Sequence, residues 1–492
     1  MSAEPVELAH EARFDRLRRR LGLALGPVVF AGLLLAPVDL PAASRSLAAV
    51  LGLVMVFWIS EAVPLPVTAL IGPALAVTLG VAGARETLAP FAEPVIFLFL
   101  GSFLLAEALR VHGLDKRIAL WILSLPGAAS SPGQLRLAVG VVTAGISMWI
   151  SNTATAAMML PIALGLVRAL AASGSREPAR GLLLIVGMAA SLGGIATPVG
   201  TPPNLIALGF LERLEGRSLS FLEFMALGVP LSLSLLGVSY LVVRRLVPVL
   251  AGGDVASHVA AERKALPAWG AGQTACAVAF GLAVTFWLLP GAVSLTGLPP
   301  TSLLPRLAAR LDEAVVALLA AGVLFLWPVG PRRALSWEDA ARIDWGTLLL
   351  FGGGLSLGKL MFDTGLAGVL GRAAVVATGV ESLWGLTALA LAATIVLTEI
   401  TSNTATVNML APLVLALARD LGVPVVPPLL AVAFGASMGF MFPIGTPPNA
   451  IVYGTGLVPM TAMMRTGVAV DLLSFFVILA GLRLLCPLLG LL

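Results

Sequence analysis

Runs of about twenty apolar residues recur along the whole chain, and a helix of that length is what crosses roughly 30 Å of hydrocarbon. They lie at about 21–38, 46–62, 65–83, 94–112, 181–211, 221–247, 270–289, 313–328, 346–362, 427–457 and 467–490. These predict an all-α polytopic membrane protein with about eleven transmembrane helices, because backbone polar groups in lipid must be paired within their own segment. Composition agrees: 59% of the 492 residues are hydrophobic and only 11% are charged, against roughly 45–50% apolar and 25% charged in soluble domains.

The sequence pI of about 9.6 does not point to nucleic acid. Basic residues sit in short clusters between apolar runs, such as Arg16, Arg18, Arg19 and Arg20, then Arg110, Lys116 and Arg117, then Arg244 and Arg245, and finally Arg332 and Arg333. That pattern sets orientation in a membrane. Cys276 and Cys486 lie far apart in apolar stretches, and His10, His112 and His258 are scattered, so no metal-ligand spacing exists. Residues 1–20 read as a cytoplasmic N-terminal segment, followed by a retained first helix over Leu21–Val38 rather than a cleaved signal. A multi-pass protein of the bacterial inner membrane is expected.

Two further apolar stretches, about 136–171 and 384–419, are too long for one span, and a polar Ser-Asn-Thr interrupts the middle of each. Each reads as a re-entrant helical hairpin whose tip reaches mid-membrane, where irregular backbone survives only against protein or a water-filled cavity. With the N-terminus inside, the first hairpin opens to the cytoplasm and the second to the outside. This threading places most of the 30 Lys and Arg residues inside, Arg136, Arg168, Arg176 and Arg180 among them.

The same polar words occur twice. Ser151-Asn152-Thr153-Ala154-Thr155 recurs as Ser402-Asn403-Thr404-Ala405-Thr406, each followed at one distance by Pro161 or Pro412. Gly200-Thr201-Pro202-Pro203-Asn204 recurs as Gly445-Thr446-Pro447-Pro448-Asn449. Upstream, Phe99, Gly101 and Gly113-Leu114 match Phe351, Gly353 and Gly365-Leu366. The spans separating the copies predict two repeats inverted across the membrane.

At a hairpin tip, Ser, Asn and Thr accept from the orphan N–H groups of the next helix, but capping needs one such residue and each tip has several. A Pro-Pro pair preceded by Gly predicts a broken helix, with free carbonyls before the break and a positive helix end after it. Positive ends suit an anion, and oxygen-only clusters suit a small hard cation. No Lys or Arg lies within either motif pair. A dianion there needs accompanying cations, which favours symport, and sodium fits oxygen ligands without a titratable carrier. Proton carriers would be Glu399, Glu61, Glu107 or Asp363, each of which also fits a scaffold role. An intramembrane protease using Ser151 or Ser402 lacks a general base in sequence context.

The stretch Ser437 to Val452, with Phe440, Pro443, Gly445 and Asn449 at its spacing, resembles the C-terminal signature of the divalent anion/sodium symporters, the INDY-type dicarboxylate carriers. The resemblance implies a homodimer in which a static scaffold holds a mobile, elevator-like transport domain. It implies one sodium site from Ser147, Ser151, Asn152 and the Gly200 backbone, and a second from Thr398, Ser402, Asn403 and the Gly445 backbone. Substrate carboxylates would meet Asn152, Thr153, Asn403 and Thr404, with Thr201, Pro202, Thr446 and Pro447 lining the pocket.

The expected organisation is a first helix within 21–45, a first repeat over 46–250 (scaffold 46–125, transport part 136–250) and a linker at 251–269. A second repeat follows over 270–492, with scaffold 270–380 and transport part 384–492. The expected activity is sodium-coupled symport of C4-dicarboxylates without an organic cofactor, with dicarboxylate exchange or sodium/sulfate symport as alternatives.

Overall fold

The computed structural model describes residues 4–37, 39–128, 131–170, 177–247, 255–443 and 445–492. Arg176 and positions 251–254 of the expected linker lie outside the described residues, as does the His10 side chain. Regular structure within them is helical apart from one two-residue hairpin, in which Pro328–Val329 pairs antiparallel with Arg332–Arg333. Gly330, at φ 58°, makes that turn possible.

Six helical segments among the described residues are long and apolar enough to cross a bilayer alone: Ala42–Ser60, Ala84–Val111, Phe221–Leu246, Ala271–Ser294, Trp345–Asp363 and Met460–Leu488. Leu65–Thr78 and Glu313–Leu326 are apolar but shorter. The apolar stretches read at 181–211 and 427–457 are broken pairs, with the break at the Gly-Thr-Pro-Pro-Asn that predicts it. Glu177–Gly194 is followed by Pro202–Glu215, and Val426–Gly435 by Pro447–Tyr453. Each second piece begins at the Pro-Pro pair, whose fixed φ suits a helix start and whose missing N–H groups need no acceptor there.

The N-terminal helix differs from expectation, running unbroken over Glu4–Leu35 through the charged segment. Alternating Glu, Leu, Ala and Arg are strong helix formers, so the polar segment extends the helix instead of preceding it. The expected linker contains a helix too, Val255–Lys264.

Both interrupted stretches fold as helix–tip–helix. The arms are Pro132–Ser147 and Asn152–Leu170 in the first, and Leu383–Thr398 and Asn403–Asp420 in the second. Each entering arm starts on a serine cap, Ser131 accepting from Gln134 N and Ser382 from Gly385 N, both at 3.2 Å.

The matched residues upstream explain how the halves meet. Phe99 and Phe351, both fully buried, pack edge to face with centroids 5.8 Å apart. Gly101 admits Ala317, since a Cβ there would sit 2.5 Å from the Ala317 Cβ, and Gly353 admits Ala69, whose carbonyl would lie 2.2 Å away. Gly113 and Gly365 carry φ of 62° and 75°, turning the chain out of one helix and into the next. Beyond the breaks, Pro202–Glu215 packs on the second hairpin's Asn403–Asp420, and Pro447–Tyr453 packs on the first hairpin's Asn152–Leu170. Each half's second half-helix thereby closes the other half's hairpin.

Candidate functional site

Both tips and both breaks line one cavity of about 850 Å³, within the roughly 300–1,000 Å³ usual for small-ligand sites. All eight residues expected at the substrate, Asn152, Thr153, Thr201, Pro202, Asn403, Thr404, Thr446 and Pro447, form its wall. Of the residues expected at sodium, Ser151, Asn152, Ser402, Asn403 and Gly445 reach the cavity. Ser147 and Thr398 stand fully buried behind it, and Gly200 is buried beside the first break.

Behind each tip the same geometry occurs. Ser147 Oγ lies 2.9 Å from Asn152 Oδ1 and 2.5 Å from the Ala190 carbonyl oxygen. Thr398 Oγ1 lies 2.7 Å from Asn403 Oδ1 and 2.7 Å from the Ala436 carbonyl oxygen. A hydroxyl has one hydrogen, so it can donate to only one of its two acceptor neighbours. The result is an electron-rich cluster of oxygens in each half. Capping is present as well, because Ser151 Oγ accepts from Ala154 N at 3.3 Å and Ser402 Oγ from Ala405 N at 3.5 Å.

The breaks are held open by the asparagine that ends each Gly-Thr-Pro-Pro-Asn. Asn204 Nδ2 donates to the Gly194 and Thr197 carbonyls at 3.0 and 2.7 Å. Asn449 Nδ2 donates to the Gly439 and Phe442 carbonyls at 2.8 and 3.1 Å. Both asparagines are almost wholly buried, so each pairs carbonyls that the broken helix would leave orphaned. This clamping role is invisible in the motif alone, since nothing in the spelling says which carbonyls the amide meets.

The tips carry no charge, but the cavity they share does. Arg110, Arg342, Glu61, Glu107 and Asp344 also line it, so the premise of a charge-free site holds only for the motifs themselves. Several of these charges are spoken for. Arg110 Nη2 sits 2.5 Å from Glu107 Oε1, and Glu61 Oε2 sits 3.3 Å from Arg18 Nη2. Asp344 caps its helix, accepting from Thr347 N at 3.0 Å. A Glu and an Arg three apart in an apolar run were a legible signal for the Glu107–Arg110 pair; Arg342, in a connection, had none.

The carboxylates considered as proton carriers are all engaged. Besides Glu61 and Glu107, Asp363 pairs with Lys359. Glu399 accepts from Phe440 N at 2.8 Å and Met441 N at 3.0 Å, fastening the second tip to the second break. Glu61 also has φ 47°, the one non-glycine residue with positive φ among those described, and it sits on the cavity wall.

The chain is similar to known transporters over nearly its full length. A transporter of Haemophilus influenzae described as uncharacterized is 36% identical over 448 residues, covering 89% of this chain and 91% of that protein. The sodium-dependent dicarboxylate transporter SdcS of Staphylococcus saprophyticus is 33% identical, covering 95% and 91%. Among solved structures, the YdaH transporter of Alcanivorax borkumensis superposes with a TM-score of 0.52 at 17% identity, covering 97% of both chains. MtrF of Neisseria gonorrhoeae gives 0.54 at 13% identity, covering 81% and 82%; at such identities these two likenesses speak to fold alone. Residues 18–492 match the family described as the sodium:sulfate symporter transmembrane region, and the chain belongs to that family of membrane transporters, the divalent anion/sodium symporters.

Proposed function

We propose that the protein is a sodium-coupled secondary symporter of C4-dicarboxylates such as succinate, malate and fumarate, working by an elevator-type alternating-access mechanism. The observation that carries this reading is the duplicated oxygen cluster, Ser147–Asn152–Ala190 and Thr398–Asn403–Ala436, behind a cavity lined by both tips. One hydrogen among several close oxygens suits a hard monovalent cation, which would add the Ser151 and Ser402 hydroxyls and the Gly200 and Gly445 carbonyls to its shell. Cations held there supply positive charge next to Asn152, Thr153, Asn403 and Thr404, where the carboxylates would lie, with helix starts at Pro202 and Pro447 facing them. The resemblance to SdcS supports dicarboxylate as the substrate class.

In this reading the segments 46–125 and 270–380 form the scaffold, and 136–250 with 384–492 form the moving unit. The halves are inverted repeats, and the protein is a homodimer in the inner membrane. A second reading, dicarboxylate exchange or sodium/sulfate symport, draws on Arg342 in the cavity wall, whose charge lessens the need for cations beside the anion. Uptake of labelled succinate into proteoliposomes separates them. Symport requires an inward sodium gradient and no internal substrate, whereas uptake that persists without sodium, or only with internal dicarboxylate, defeats it.

A further inference from the structure

On the side where charge counting puts the cytoplasm, guanidiniums gather around a small cavity remote from the tips. It measures about 260 Å³ and is lined by Arg180, Arg465, Thr461 and Thr466, with Leu246 and Pro459 among its apolar wall. Arg136 stands behind it, only 2% exposed, donating to the carbonyl of cavity residue Val247 at 3.2 Å. Arg136 also covers Gly181, where a Cβ would lie 2.3 Å from its Nη2, so the neighbour of Arg180 is a glycine because a guanidinium occupies the space. Arg180 Nε is buried and has no hydrogen-bond partner among the described residues. The ion pairs found among the described residues involve other cations.

Among the described residues no carboxylate pairs with these guanidiniums, and positive charge beside a partly buried pocket suits an anion from outside the chain. Arginine forks match phosphate oxygens in particular. The adjoining surface says what carries the phosphate. Along Met460–Leu488, Val468, Leu472 and Phe476 follow Arg465 at helical spacing on one face, and they are 38%, 61% and 64% exposed. An apolar stripe leading from a cationic pocket along a membrane helix fits acyl chains below a headgroup.

We propose that Arg180, Arg465 and Arg136 form a headgroup site for an anionic phospholipid. Its phosphate sits between Arg180 and Arg465, with Arg136 adding charge from behind, and its chains lie on the Val468–Phe476 stripe. The bound lipid joins a hairpin arm, the start of a broken helix and the last helix at one membrane face.

Native mass spectrometry of the purified full chain tests this with phosphatidylglycerol titrated in, and phosphatidylcholine as the neutral comparison. Phosphatidylglycerol is retained and phosphatidylcholine is not. Arg180→Ala with Arg465→Ala weakens retention by about 30-fold, as two surface charges imply. Arg465→Ala alone, at an exposed position where folding is not at stake, weakens it by about 5-fold. Equal retention of both lipids, or unchanged retention in both variants, overturns the proposal. So does complete displacement of the lipid by inorganic phosphate, which marks a free-anion site instead.

Discussion

Ser147 and Thr398 each bring one hydroxyl hydrogen to two acceptor oxygens, and this shortage decides their chemistry. A structural hydroxyl mid-helix ordinarily returns its hydrogen to a carbonyl one turn back, as Thr394 does to Ala390 at 2.6 Å. These two instead reach across to the tip asparagine and to another helix. Thr398→Val keeps the shape and removes the oxygen. We expect the apparent sodium affinity for succinate uptake to fall about 10-fold, as loss of a hydrogen-bond-sized interaction implies, with uptake at saturating sodium largely restored. If sodium dependence is identical in Thr398→Val and wild type, the oxygen cluster is structural and holds no cation.

At the scale of elements, the two broken helices depend on their clamps. Asn449→Ala leaves the Gly439 and Phe442 carbonyls without their donor, at a cost of roughly 1–3 kcal/mol. A lower thermal midpoint in detergent, read by tryptophan fluorescence, checks it; an unchanged midpoint would mean that water satisfies the break. The helix holding Phe351 depends on close approach. Gly353→Val drives a side chain into the Ala69 backbone and is expected to destabilise by about 1–3 kcal/mol. Gly322→Ala, where nothing lies within 4 Å, is expected to stabilise its helix by roughly 0.5–1 kcal/mol. Similar melting shifts in the two variants would show that propensity, not packing, governs these positions.

For the whole molecule, the question is which parts move together. Asn408, on the second hairpin, lies against Trp345–Asp363: its Nδ2 is 3.4 Å from the Leu350 carbonyl, and a Cβ at Gly354 would lie 2.3 Å from its Cγ. A cysteine pair at 354 and 408 is therefore within disulfide reach, and the native Cys276 and Cys486 are buried. Oxidation is expected to abolish uptake, reduction to restore it, and succinate binding to survive both. Full uptake in the cross-linked protein would rule out sliding of the hairpin past this helix. From the sequence alone came the membrane environment, the places where helices turn back or break, and the duplication. Each rests on local pattern: apolar runs, polar residues inside them, and prolines that cannot continue a helix. Tertiary structure alone decided that Arg110 and Arg342 join the wall of the cavity and that Asn204 and Asn449 clamp the breaks. Such pairings depend on how helices pack and cross, and hydropathy and local motifs carry no record of that.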